Sequence, residues 1–151
     1  MLDEIDKRIL RALQEDGRIT NQALAEACHI SPAACFDRVK RLRTRGYILG
    51  TMAVLDPAKL DRALLIFIEV LLDRTTGDVF DEFAKAVAAQ PDILECHMVA
   101  GGFDYLIKAR VKDMAAYRNF LGEILVKMPG VRETRTYAVL EEVKNTLALP
   151  I

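Results

Sequence analysis

SPAACFDRVKRLRTRGYI, residues 31–48, opens with serine and proline and then sets five basic side chains in the eight positions from Arg38 to Arg45. Ser31 can cap a helix through its hydroxyl, and Pro32 at the first helical position removes an N–H that would have no partner, so a helix begins here. At about 100° per residue, Cys35, Phe36, Val39 and Leu42 fall on one arc and Arg38, Lys40, Arg41 and Arg45 on the other. The spacing predicts a core side and a cationic side. Ala33 and Ala34 share the outer side in the first turn, where small residues let a backbone approach a surface and can touch a thymine methyl.

The residues upstream supply its partners. Asp3 can cap a first helix that buries Ile5, Ile9, Ala12 and Leu13 and stops near the DGR at 16–18. Thr20 can cap NQALAEAC, which buries Leu24, Ala25 and Cys28. Only His29 and Ile30 separate this helix from the third, so the two must turn sharply into a helix-turn-helix unit.

Charge narrows the function. The formal net charge is −1, yet residues 1–47 hold nine basic and seven acidic side chains while residues 48–151 hold twelve and fifteen. The positive excess belongs to residues 31–45, which implies a local anionic partner rather than a general one. The alternative is a solvated helix face. Ser31 available to a phosphate, a helix N-terminus that favours anions and the preceding turn give the segment the parts of a recognition helix for the major groove of double-stranded DNA.

Beyond Gly46 the pattern is of strands. YILGTMAVL at 47–55 alternates, and DPAKLD at 56–61 reads as a turn and linker. Strand patterns follow at 63–72, 93–100, 103–111 and 131–140, with helical patterns at 79–90 and 113–128. This βαββαβ order predicts a ferredoxin-like four-stranded antiparallel sheet with both helices on one face. The chain therefore reads as α+β, with a helix-turn-helix domain at 1–47, a hinge strand and linker at 48–62, and a ferredoxin-like domain at 63–151.

Several classes are disfavoured. The longest apolar run, ALLIFIEVLL, is about half the length of a spanning helix and contains Glu69, and the N-terminus is charged where a signal peptide is apolar. No membrane association and a cytoplasmic location are expected. Cys28, Cys35 and Cys96 have no C-x-x-C spacing, which argues against disulfides and zinc. Cys96 and His97, with Glu95 and Asp104 nearby, invite an enzyme, but neighbours on one strand point to opposite faces and cannot pair. No catalytic residue, metal or cofactor is expected. Gly101 and Gly102 suit a hairpin turn, and their N–H groups beside Asp104 offer a free amino acid donors for its carboxylate and an acceptor for its ammonium. Met98 and Met114 read as core on residue type alone.

LDEIDKRILRALQEDGRIT at 2–20, the segment at 31–48, ECHMVAGGFDY at 95–105 and RTYAVLEEVK at 135–144 resemble the Lrp/AsnC (feast/famine) family of transcriptional regulators, and most closely its leucine-responsive branch. The resemblance implies a winged helix-turn-helix, a hinge strand used across a homodimer, and a C-terminal domain that binds amino acids and assembles dimers, often into an octamer. It places Ser31, Pro32, Ala33, Ala34, Arg38 and Arg41 in the DNA-reading helix, beside Lys40. It places Met98, Gly101, Gly102, Asp104, Tyr105, Met114, Thr134, Thr136 and Tyr137 around the effector, with leucine the first candidate. The expected function is a sequence-specific regulator of amino-acid metabolism; the alternatives are a dedicated regulator of one proline or branched-chain catabolic operon, or a DNA-wrapping protein with little sequence preference. Two features, at three positions, depart from the family pattern. His29 stands where relatives usually have glycine, in a turn that calls for a left-handed residue, and Ala33 and Ala34 stand where they often have Thr and Pro.

Overall fold

The structure, a computed structural model, describes residues 1–73 and 77–151. The chain forms two compact units, residues 1–54 together with 144–151, and residues 55–143. The last eight residues thus leave the ferredoxin-like domain to which their place in sequence assigned them. They are held by α1: the Gln14 amide donates to the Leu149 carbonyl at 2.9 Å and accepts its N–H at 2.6 Å, and Arg11 Nε donates to the Ile151 carbonyl.

In the first unit, α1 (Glu4–Glu15), α2 (Asn21–Cys28) and α3 (Pro32–Thr44) start at Asp3, Thr20 and Ser31, each of whose side chains accepts a backbone N–H from three residues on. Ile9, Leu24, Ala25, Cys28, Cys35 and Leu42 are fully buried, with Val39 and Ile48 packed at the margin. Phe36 is not among them and is 59% exposed. Its position lies about 100° around the helix from Cys35, whereas the buried stripe centres on Cys35, Val39 and Leu42. Residues 48–55 form no strand, because a strand needs a hydrogen-bonded neighbour and none of the described residues supplies one. Leu49, Met52, Val54 and Leu55 are exposed along it.

The second unit runs β1 (Leu64–Leu72), α4 (Val79–Ala88), β2 (Ile93–Met98), β3 (Tyr105–Val111), α5 (Met114–Glu123) and β4 (Val131–Ala138). The sheet order is β2-β3-β1-β4 with every pair antiparallel, the ferredoxin-like arrangement. Alternation sends Ile66, Ile68, Val70 and Leu72 of β1 and Tyr105, Ile107, Ala109 and Val111 of β3 to the face covered by Val79 and Phe83 of α4 and Tyr117 and Phe120 of α5. Gly130 precedes β4 at φ 74°, where a Cβ would lie 2.0 Å from Val79 Cγ2. After Glu123, α5 gives way to a 3-10 turn over Leu125–Lys127 that seats Leu125 in the core.

Candidate functional site

The turn into α3 is built locally. His29 sits at φ 57° and ψ 45°, the left-handed conformation expected there. The Ile30 N–H donates to Ala25 O at 3.0 Å and the His29 N–H to Glu26 O at 3.1 Å, closing the end of α2 in a Schellman motif. Asn21 Nδ2 donates to Pro32 O at 2.8 Å and ties α2 to the first turn of α3. The Ser31 hydroxyl accepts the Ala34 N–H at 3.2 Å. Beyond this cap, Ala33, Phe36, Asp37, Lys40, Arg41 and Thr44 are exposed.

Arg38 is turned the other way. Its side chain is 22% exposed, and Nη1 lies 2.7 Å from Asp3 Oδ2 and 2.8 Å from Asp6 Oδ1. Arg41 Nη2 reaches the same Asp6 oxygen at 3.4 Å, yet 44% of its side chain stays exposed. Asp6 itself is 4% exposed. The Asp6 N–H, and then the Arg38 guanidinium, hold the Asp3 carboxyl below its ordinary value, and the two carboxylates raise Arg38 further. Of the seven expected DNA-facing residues, Ser31, Pro32, Ala33, Lys40 and Arg41 are exposed together, Ala34 is half-buried, and Arg38 faces α1. Phe36 and Asp37 join the exposed face. A helical wheel centred on Cys35 and Leu42 points Asp37 outward and leaves Phe36 beside the core stripe.

In the second unit, Gly101 and Gly102 are exposed at the turn, and Asp104 beneath them is 3% exposed. Its carboxylate accepts the Leu72 N–H at 2.8 Å, its own N–H donates to Val70 O at 2.9 Å, and its carbonyl accepts the Val99 N–H at 3.0 Å. Tyr105 is buried, its ring centroid 4.7 Å from that of Phe83. Met98 and Met114 are exposed rather than core, as is Tyr137, while Thr134 and Thr136 are half-buried, the latter hydrogen-bonded to the Tyr117 hydroxyl. Alternation puts Met98 on the face of Cys96, opposite Tyr105, and it is exposed because it ends edge strand β2, beyond the cover of the core.

A cavity of about 300 Å³ lies beside the turn, lined by Glu69, Leu71, Gly102, Phe103, Glu133, Thr134 and Arg135. The Tyr137 hydroxyl donates to Glu69 Oε1 at 3.1 Å, which raises the Tyr137 phenol. Of the expected effector residues, Gly102 and Thr134 line this cavity; Glu69, Glu133 and Arg135 add both signs of charge. Nothing local in the sequence marked them, since Glu69 stands alone in the apolar run of β1, and only the β1–β4 pairing brings Glu133 and Arg135 beside it.

Elsewhere the chemistry is quiet. Burial pushes the Cys96 thiol up to about 11, and His97 on the next position is exposed, 3.3 Å from Glu95 Oε1. Among the described residues, no group of His, Cys, Asp or Glu could hold a metal ion, and no helix is long and apolar enough to cross a membrane.

Residues 2–48 match the family of winged helix-turn-helix DNA-binding domains and residues 65–149 match the Lrp/AsnC ligand binding domain. The chain belongs to the Lrp/AsnC family. It is 51% identical over 150 residues to the leucine-responsive regulatory proteins of Klebsiella pneumoniae and of Escherichia coli K12, covering 99% of this chain and 92% of each relative. A transcriptional regulator from Neisseria meningitidis, solved as its L-Met complex, superimposes with a TM-score of 0.96 at 36% identity, covering 99% of this chain and 97% of that one. An AsnC family transcriptional regulator from Agrobacterium tumefaciens gives 0.93 at 29% identity with the same coverage. Like its Lrp/AsnC relatives the protein is a ligand-responsive, DNA-binding transcriptional regulator and not an enzyme.

Proposed function

We propose that this Lrp/AsnC regulator controls amino-acid metabolism from the cytoplasm, binding double-stranded DNA through the exposed face of α3 and responding to a small amino acid, leucine first among the candidates. The observation that carries the reading is the first turn of α3: a Ser31-capped N-terminus presents exposed Ala33 with Lys40 and Arg41 behind it, small enough for close approach and cationic enough for phosphate. Ser31, Pro32 and Ala34 complete that turn, and Arg38 supports it from behind. On the effector side, the cavity beside Gly101 and Gly102 suits a zwitterion, with Glu69 and Glu133 for an ammonium, Arg135 for a carboxylate, and Leu71 and Phe103 for an aliphatic side chain. Met98 near the turn, Thr136 and Tyr137 farther along β4, and Met114 at the start of α5 beyond the other end of β3 are further contacts once subunits assemble, and Asp104 and Tyr105 shape the turn from beneath. The apolar residues exposed at 48–55 favour a homodimer paired through that segment, with the octamer as its higher assembly.

The test has two arms. Lys40→Ala and Arg41→Ala should each flatten the salt dependence of DNA affinity by about one unit for every phosphate no longer neutralised, with the protein still folded. A thermal-shift series over the twenty amino acids should single out leucine or a close aliphatic neighbour, because a ligand that prefers the folded state raises its apparent stability. Unchanged salt slopes, or no shift with any amino acid, would refute the corresponding half.

A further inference from the structure

We infer that Asp6 of α1 is a specificity-determining residue for DNA binding: it occupies Arg38 and restrains Arg41, withholding cationic charge on the recognition helix from indiscriminate phosphate contact. The inference rests on the reading of α3 as the DNA-facing helix.

The geometry is a wedge of negative charge driven into the cationic flank. Asp6 Oδ1 is shared between Arg38 Nη1 at 2.8 Å and Arg41 Nη2 at 3.4 Å, and Asp6 is 4% exposed, so its partners cannot be replaced there by water. Asp3 fixes the arrangement from the other side. Its Oδ1 caps α1 by accepting the Asp6 N–H at 2.7 Å, and its Oδ2 takes Arg38 at 2.7 Å. Both bonds to Arg38 come from the one nitrogen, and the guanidinium is drawn against α1. A phosphate that recruited Arg38 would leave the Asp6 carboxylate buried with a weakened partner, a costly exchange. Arg41, longer-bonded and half-exposed, can turn outward, but it does so against the pull of the same carboxylate.

The consequence is a difference between sequences, not only a change of affinity. Non-specific binding comes from the number of phosphates neutralised, whereas contacts from Ala33 and its neighbours to base edges do not depend on that number. Holding back one or two cations lowers the non-specific part and widens the ratio between operator and other DNA.

Asp6→Asn, close in shape, and Asp3→Asn, which preserves a good N-cap, test this in the full-length protein. Affinities are measured over a salt series for two duplexes, one selected by the wild-type protein from a random library and one of scrambled sequence. Asp6→Asn should tighten binding to the scrambled duplex several-fold at low salt, steepen the salt slope by about 0.9 for each cation released, and narrow the ratio between the duplexes. Asp3→Asn, whose carboxylate side chain is 53% exposed and so tolerant of change, should do the same to a smaller extent. Weaker binding to both duplexes in equal measure, with an unchanged slope in both variants, would show that Asp6 merely supports the fold and overturn the inference. The Lys40→Ala and Arg41→Ala variants, run alongside, separate that failure from the other: unchanged binding in both would mean that α3 does not face DNA.

Discussion

His29 carries a conformation that most residues avoid. At φ 57° it ends α2 and permits the Ile30 N–H to reach Ala25, and a residue with a Cβ adopts that region at a cost of about 1 kcal/mol relative to glycine. His29→Gly should therefore stabilise the first unit by up to about 1 kcal/mol, partly offset by the greater freedom of glycine in the unfolded chain. Calorimetry should show its transition a few degrees higher; an unchanged or lower midpoint would mean that the exposed imidazole makes a compensating contribution. Arg38 shows the same scale from the opposite side. Its sequence position suggests a DNA contact, and the structure pairs its guanidinium with Asp3 at the cap of α1 and with Asp6 within that helix.

Among the elements, the β1–β3 pair depends on a carboxylate at its end. Asp104 accepts the Leu72 N–H where β1 shifts register against β4 between Leu71 and Leu72, a place where the ladder cannot satisfy that donor itself. Asp104→Ala should cost about 1–3 kcal/mol in urea denaturation, the range for leaving a buried donor without its acceptor. The amino-acid response gives the second reading of the same variant. A response that survives in proportion to the folded fraction assigns Asp104 to the turn; one abolished in fully folded protein assigns it to the effector as well.

At the scale of the whole molecule, the segment 48–55 is the unfinished part. Leu49 is 97% exposed, and Met52, Val54 and Leu55 are exposed after it with no ladder partner among the described residues, apolar surface that invites pairing with another chain. Leu49→Glu together with Met52→Glu should shift the protein toward monomer in analytical ultracentrifugation, while the far-ultraviolet dichroism of the two units is unchanged. An unaltered sedimentation coefficient would move the self-association surface elsewhere.

What the sequence determined by itself was whatever depends on near neighbours. Asp3, Thr20 and Ser31 each cap a helix through an N–H three residues on, and the strand patterns at 63–72, 93–100, 103–111 and 131–140 set which strand residues share a face, so the element order and the ferredoxin-like sheet were legible before any tertiary contact. The helix proposed to face DNA was legible as a helix for the same reason, since its cap, its small first turn and its charges lie within fifteen consecutive residues. Tertiary structure alone decided what those residues meet. Arg38 meets Asp6 across 32 positions, Asp104 meets Leu72 across 32, and Gln14 meets Leu149 across 135. No periodicity encodes such meetings, because they follow from how whole helices and strands pack, and that packing turned a cation inward, buried a carboxylate, exposed Phe36 and carried the chain's last residues back to α1.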